Sequence, residues 1–425
     1  MKRINIGLLG CGTVGGGLVD LLRDNRDLVA RRSGLDLHLQ KVLVQDPEKE
    51  RPCIPELITT SPESILEDPS IDVVVELIGG LNPARPLLLE AIRSGKNVVT
   101  ANKALLAGHG REIFDHALDQ QVRVGFEASV CGGIPILRAI SSGLIGNQIF
   151  DLLGIVNGTS NYILTQMAEE NCTFQKALSE AKRLGFAEAD PTLDVTGQDA
   201  AQKLKLLAEL AFGIRLENNS FPVVGIEEIE EEDIRSAAEL GYVIKPLALA
   251  RDGKTGLTLG VTPALLPQNH PLSHIRNEFN SILLKGHGVD ELIFTGKGAG
   301  ALPTASAVLA DIISISEPSS SVSSYRPHRP VRKVSQEKES KFYLRFPIRD
   351  IPGVIGLIST ALGNRGISIS HATARLVGDQ PGNGHVKIVS HKCSPTLLRK
   401  SLEEISRLPI LIGKPIMLPI LEGGA

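Results

Sequence analysis

Between Ala181 and Lys203 the chain reads A-K-R-L-G-F-A-E-A-D-P-T-L-D-V-T-G-Q-D-A-A-Q-K, gathering Glu188, Asp190, Asp194, Asp199 and Lys203 into one short span. Gly185, Pro191 and Gly197 interrupt it, so the first of these acids belong on turns. After Gly197 the pattern becomes helical, and at about 100° per residue Gln202, Lys205 and Glu209 fall on one side. Leu206, Leu207 and Leu210 share the other side with Asp199 and Lys203. An aspartate four residues before a lysine is commonly a surface pair worth a few tenths of a kcal/mol. Here its phase points it inward, where charge is costly unless paired or lining a polar site. The pattern predicts a substrate pocket closed by this turn and helix.

Such a pocket needs a scaffold, and the chain's first residues supply one. Residues 3–9 read as a buried strand, followed by Gly10-Cys11-Gly12-Thr13-Val14-Gly15 and a helix through Leu22. Strand, G-x-G-x-x-G and helix in that order form the dinucleotide fingerprint: glycines allow close backbone approach, and the helix N-terminus offers amides to pyrophosphate. A second strand, Leu39–Val44, ends at Gln45-Asp46, where Asp46 suits a ribose 2′-hydroxyl while Lys49 and Arg51 suit a 2′-phosphate. Both NAD and NADP therefore stay open. Ile71–Ile78 is a β-branched run of the kind buried on both faces of a parallel sheet. A helix at Pro83–Ser94 and a strand at Asn97–Thr100 follow. Glu76, Gly79, Thr100 and Lys103 would thus lie at the carboxyl ends of strands, where open α/β sheets bind ligands.

After the strand Val122–Phe126, the stretch Glu127-Ala128-Ser129-Val130-Cys131-Gly132-Gly133-Ile134-Pro135 forms a glycine-punctuated turn. Cys131 suggests a thiolate nucleophile, but no histidine or basic residue stands near it in sequence to lower its pKa. Successive carbonyls with the Glu127 carboxylate suit a hard cation better. A strand at Asp151–Val156 leads to Asn157-Gly158-Thr159-Ser160-Asn161 and a helix at Tyr162–Glu169. The acidic run Glu227–Asp233 reads as a helix start or a solvated face. Gly296-Lys297-Gly298-Ala299-Gly300 precedes a helix at Ala305–Ile315. Residues 316–340 have linker composition. Beyond them, strands and helices alternate as β-α-β-β-α-β, the ferredoxin-like order, with Asp350-Ile351-Pro352-Gly353 at the first turn.

At 425 residues and 42% apolar content the chain can bury two or three cores. A net charge of −3 does not suit a nucleic-acid partner. The one basic cluster, Arg326 to Lys333, sits in the linker. Five scattered cysteines fit a reducing, cytoplasmic setting better than a disulfide framework. Glycines break the apolar start, which argues against a cleaved leader, and no apolar run approaches the about 18 residues of a membrane span.

The Ala181–Lys203 stretch resembles the signature of homoserine dehydrogenases. The same family is matched in order by the glycine fingerprint, Thr100-Ala101-Asn102-Lys103, the Glu127–Pro135 turn, Asn157–Tyr162 and Gly298-Ala299-Gly300. The tail is similar to an ACT domain, an amino-acid-sensing module. The resemblance implies an α/β Rossmann-type nucleotide-binding domain over 1–135 and an α+β catalytic and dimerisation domain over 136–315. A linker (316–340) and an ACT domain (341–425) complete the expected order. It further implies NAD(P)-dependent interconversion of L-aspartate 4-semialdehyde and L-homoserine, towards threonine, methionine and isoleucine. Lys203 and Lys103 would be catalytic; Glu188, Asp194 and Asp199 would hold the substrate; Gly10, Gly12, Thr13, Val14, Gly15, Thr100, Lys103, Gly185 and Gly300 would face the cofactor. Glu127 with the carbonyls of Val130, Gly132 and Ile134 would bind a sodium-like ion, and Asp350 and Gly353 a threonine effector. A homodimer or homotetramer is expected. Two rivals are a non-catalytic nucleotide and amino-acid sensor, and an acylating dehydrogenase acting through Cys131; retention of both Lys203 and its acids favours the homoserine dehydrogenase reading over the sensor.

Overall fold

The computed structural model describes residues 1–217, 221–253, 256–317, 339–376 and 382–422. The basic cluster and most of the expected linker, together with residues 377–381, lie outside them. In chain order the strands are β1 (Lys2–Leu9), β2 (Leu35–Leu43), β3 (Ile58–Thr59), β4 (Val73–Glu76), β5 (Asn97–Thr100), β6 (Val124–Gly125), β7 (Ile149–Ile155), β8 (Tyr242–Gly253), β9 (Gly256–Pro267), β10 (Phe279–Gly286), β11 (Asp290–Lys297), β12 (Lys341–Arg349), β13 (Ile369–Leu376), β14 (Asn383–Ser390) and β15 (Ile416–Ile420). The chain divides into two compact units. One comprises Met1–Gly158, Asp199–Ser220 and Glu278–Lys333; the other Thr159–Gln198, Phe221–Asn277 and Val334–Ala425.

In the first unit a parallel sheet has the order β3-β2-β1-β4-β5-β6. Strand order reverses beside β1, which pairs in parallel with β2 on one edge and β4 on the other, and a crevice opens at such a switch point. The valines of β4 and β5 are buried because helices cover the sheet. Two glycines of the first helix permit backbone contact that a side chain would block. A Cβ on Gly15 would stand 2.4 Å from the Gly10 carbonyl oxygen, and one on Gly17 2.9 Å from that of Ala301. The helix Ala301–Ser316 thereby joins the first helix, and its Ala305, Val308 and Ile312 share a core with Ile4, Leu8 and Leu18. β10 lies antiparallel between β7 and β11 in the same unit.

Three expected boundaries move. β2 starts at Leu35, because Gly34 in the left-handed region (φ 71°) ends the preceding helix and launches the alternating Leu35, Leu37 and Leu39. Asn157–Asn161 is not a separate turn throughout; the helix already begins at Gly158. The last helix of the unit begins at Ala301, with Pro303 tolerated in its first turn. On the Gln198–Phe212 helix the side that carries Lys205 and Glu209 is not left to solvent. Lys205 Nζ donates to the Ala107 carbonyl at 2.6 Å, and buried Glu209 accepts from the Leu216 amide at 2.8 Å. Both sides of this helix are packed, so its polar residues tie neighbouring backbone down.

In the second unit β8 and β9 form a long antiparallel pair. β15 runs parallel to β9 at Ile420 and Leu265. β12 lies between β15 and β14, with β13 outermost, and all three pairings are antiparallel. Helices Val354–Gly363 and Pro395–Ile405 fall between the strands so that the element order is β-α-β-β-α-β. The acidic run starts the Glu231–Glu239 helix through a capping box between Glu230 and Asp233. It is not wholly a solvated face. Asp233 is fully buried, accepting from Tyr343 Oη at 3.0 Å and Arg345 Nε at 2.7 Å. Removing one partner of a buried pair strands the other, so Asp233→Ala should cost about 3–5 kcal/mol in chemical denaturation. The double variant Asp233→Leu/Arg345→Met should cost markedly less; a double variant that loses at least as much as Asp233→Ala would show that a stranded Arg345 charge is not the source of the single variant's loss.

Candidate active site

Asp199 and Lys203 lie one turn apart on the Gln198–Phe212 helix and face inward, at 5% and 9% exposure. Lys203 Nζ donates to Asp199 Oδ2 at 2.7 Å and to the Val156 carbonyl, just beyond β7, also at 2.7 Å. Asn157 Nδ2 donates to the same carboxylate oxygen at 2.8 Å. The other oxygen, Oδ1, is 3.1 Å from Nζ of Lys103, whose side chain is 36% exposed at the start of the Lys103–Asp119 helix. One aspartate therefore bridges two lysines. Burial alone would raise its pKa, but attraction from Lys203 and Lys103, with hydrogen bonds from Lys203 and Asn157, outweighs burial and holds it at about 2.

Lys103 is placed by its helix cap. Asn102 Oδ1 accepts from the Leu105 amide at 3.1 Å, while its Nδ2 donates to the Gly80 carbonyl at 2.6 Å. Thr100, at the carboxyl end of β5, donates to buried Glu76 at the end of β4 at 2.6 Å. Across β1, Gly10 (φ 95°) turns the chain into the first helix. Gly12 N-caps that helix without any side-chain cap, and nothing lies within 4 Å of the position its Cβ would take. Gly12 and Thr13 are exposed and Val14 is half-buried. Free helix-start amides beside open space fit the pyrophosphate of a dinucleotide. Gly300, left-handed at φ 116°, opens the Ala301–Ser316 helix, likewise with no side-chain cap.

The Glu127–Pro135 turn is buried except at Gly133 and Pro135. Glu127 Oε1 accepts from the Leu137 amide and Oε2 from the Arg138 amide, each at 2.8 Å. Burial pushes its pKa up despite these bonds. Asp311 accepts from the Glu127 amide at 2.8 Å and pairs with Arg138 at 3.2 Å; burial and the Glu127 charge push it up to about 7. Cys131 (φ 54°) and Gly132 (φ 45°) are successive left-handed residues, and a Cβ on Gly132 would lie 2.7 Å from the Gly298 carbonyl. The two glycine-rich turns thus pack backbone to backbone. Among the described residues no group of three or more His, Cys, Asp or Glu side chains is arranged to hold a metal ion.

Glu188, Asp194 and Gly185 belong to the second unit, where Glu188 and Gly185 are exposed. Two hydroxyls of the earlier Gly158–Glu170 helix hold their loop: Thr159 Oγ1 donates to the Phe186 carbonyl at 2.7 Å and Ser160 Oγ to that of Asp194 at 2.9 Å. Sequence reasoning missed this, as it missed Asn157 as a donor to Asp199 across 42 residues. An N-G dipeptide after a strand signals a turn, not a distant partner. Asp46 accepts from the Glu48 amide at 3.0 Å. Cys131 corrects an expectation, because a base does stand nearby in space. Lys203 lowers its thiol pKa, but burial dominates and pushes it up to about 11.

The parallel sheet with its reversal of strand order, the open helix start and the buried Lys203 with its aspartate define an NAD(P)-dependent oxidoreductase. The family model for the homoserine dehydrogenase NAD-binding domain matches residues 10–127, and that for homoserine dehydrogenase matches residues 135–313. The homoserine dehydrogenase of Neisseria gonorrhoeae is 40% identical over 99% of both chains. A homoserine dehydrogenase crystal structure from Thiobacillus denitrificans superposes with a TM-score of 0.90 at 38% identity, covering 100% of this chain and 99% of the other. A hyperthermophilic archaeal homoserine dehydrogenase in complex with NADPH superposes at 0.61 and 26% identity, covering 74% and 98%. The chain belongs to the homoserine dehydrogenase family. No helix among the described residues is long and apolar enough to cross a membrane.

Burial pushes the Cys131 thiol up to about 11, so the thiol and not the nucleophilic thiolate predominates near neutrality. Cys131→Ala should therefore keep turnover within about threefold of the parent. A loss as deep as that of a Lys203 variant in a steady-state NAD(P)H assay would reinstate the thiol as nucleophile.

Proposed function

We propose that the chain reversibly reduces L-aspartate 4-semialdehyde to L-homoserine with NADPH or NADH, and that Lys203 moves the proton at the substrate oxygen. The observation that carries this reading is the buried Lys203 ammonium clamped by Asp199 and the Val156 carbonyl. The bound nicotinamide supplies or accepts the hydride. Lys203 protonates the carbonyl oxygen as it gains negative charge and takes the proton back in the reverse direction. Asp199, held at about 2, stays a carboxylate at working pH, so it orients Lys203 and does not itself give up a proton. Lys103, on the other oxygen of Asp199, is the second catalytic lysine. Glu188, Asp194 and Asp199 hold the ammonium end of the substrate. Gly10, Gly12, Thr13, Val14, Gly15, Thr100, Gly185 and Gly300 line the cofactor.

A sodium-like ion at Glu127 and the carbonyls of Val130, Gly132 and Ile134 would shape the turn. Glu127 and Asp311 are both buried there, and the Arg138 guanidinium pairs with Asp311 while Glu127 accepts from backbone amides, an arrangement with room for a cation to offset charge. Residues 341–425 are read as an ACT domain through which threonine lowers activity in the route to threonine, methionine and isoleucine. Gly353 supports this, since it N-caps its helix at φ 88° without a side-chain cap and leaves amides for a carboxylate. A dimer or tetramer is the expected assembly. A sensor without catalysis would have no use for a lysine and an aspartate buried together, because that burial costs free energy without a ligand reaction to serve.

Purified protein should oxidise NADPH or NADH when given L-aspartate 4-semialdehyde, and Lys203→Ala should lower kcat by about 10²–10⁴-fold. Turnover unchanged in that variant would reject the mechanism. For regulation, a deletion after the linker is a poor test, because β15 pairs with β9 and Arg345 pairs with Asp233. Gly353→Val is cleaner: it should raise the threonine concentration for half-inhibition at least about tenfold. Equal inhibition of parent and variant would remove the effector site from this turn.

A further inference from the structure

Glu76 closes β4 with a carboxylate that is 0% exposed, and uncharged donors satisfy it. Oε1 accepts from the amides of Ile78 at 2.9 Å and Gly79 at 3.0 Å, while Oε2 accepts from the Thr100 hydroxyl at 2.6 Å. A buried charge held this way is expensive for a strand end that a neutral residue could close. Its two oxygens reach in different directions. Through Oε1 it sets the turn after β4, which walls the nucleotide loop: a Cβ on Gly10 would lie 2.9 Å from the Ile78 nitrogen and from the Leu77 carbonyl. Through Oε2 it holds Thr100, whose hydroxyl oxygen accepts from the Asn102 amide at 3.0 Å. Asn102 caps the helix that begins with Lys103, and it also grips the Gly80 carbonyl at the far end of the same turn. Lys103 in turn contacts Asp199, and Asp199 contacts Lys203.

We propose that Glu76 is a positioning residue for the reaction: its carboxylate locks the glycine loop that receives the cofactor to the Lys103–Asp199–Lys203 cluster, setting hydride donor against proton donor. This rests on the function proposed above. The geometry also says why the residue is Glu. All three partners donate, so both oxygens must accept; a glutamine keeps one acceptor for the two amides but turns its NH₂ towards Thr100, forcing that hydroxyl to reverse. A methionine of similar volume fills the space and satisfies none of them.

The test uses the full-length protein with Glu76→Gln, Glu76→Met and, as a stability control, Ile92→Ala from the buried face of the helix after β4. Glu76→Met should lower kcat about a hundredfold, as expected for a small misplacement of reacting groups, while KM for the semialdehyde stays within about threefold. Glu76→Gln should recover at least about tenfold of that loss. Amide hydrogen exchange at Ile78 and Gly79 should speed in Glu76→Met and less so in Glu76→Gln. Ile92→Ala, assayed where all variants are folded, should keep kcat near the parent value. The inference is overturned if Glu76→Met keeps kcat within about threefold, if it loses no more than Ile92→Ala, or if its Ile78 and Gly79 amides stay protected. A parent protein inert towards the semialdehyde would sink the proposed function instead, and NADPH affinity with amide exchange would still decide whether Glu76 sets the cofactor loop.

Discussion

One carboxylate shared between two lysines is the constraint on which the first unit is built. Lys203 reaches Asp199 along its own helix, a contact that any i, i+4 pair can make. Lys103 comes from a different helix 96 residues earlier in the chain, and it reaches the other oxygen of Asp199 only if both helices are fixed. The caps, glycine contacts and polar ties of this unit can be read as the means of fixing them. Lys205, for instance, binds the Ala107 carbonyl of the Lys103 helix from the helix that carries Asp199. The charge cluster and the packing around it are one arrangement.

Glycine plays the complementary part, by letting backbone approach backbone where a side chain would intrude. Gly15 against Gly10, Gly17 against Ala301 and Gly132 against Gly298 join the first helix, the last helix and the Glu127 turn. Each contact brings a candidate ligand-binding turn close to another without a side chain in the way. The start of the first helix has no side-chain cap, and the space beside Gly12 is open. A capping serine there would stabilise the helix and fill the place an anionic group needs.

Much of this was legible before any coordinates. The inward phase of Asp199 and Lys203 followed from the leucines sharing their side of a helix, and the G-x-G-x-x-G turn followed from its flanking strand and helix. Local signals failed where the partner is distant in sequence. Lys205 and Glu209 sit on the polar side by periodicity, yet both are claimed by backbone that only the tertiary fold brings near. Asp233 looked like part of an acidic surface, and only β12, more than a hundred residues later, supplies the Arg345 and Tyr343 that allow its burial. The sequence neighbours of Cys131 carry no base, whereas in space burial raises its thiol pKa and the Lys203 charge lowers it.

Two aspartates of the first unit show what decides protonation in this interior. Asp199 and Asp311 are buried to a similar degree, and desolvation pushes both upward. Asp199 ends at about 2 because two ammonium groups flank it, while Asp311 ends at about 7 because the Glu127 charge stands beside it and one arginine offsets only part of the penalty. Burial therefore sets the size of the stakes and the neighbours set the sign. A carboxylate held at about 2 has no proton to give near neutrality, and a thiol at about 11 gives one too reluctantly to act as a nucleophile. For the reaction proposed, the lysines are the groups around Asp199 whose chemistry matches proton transfer at an oxygen, and Lys203 is held by both a carboxylate and a backbone carbonyl.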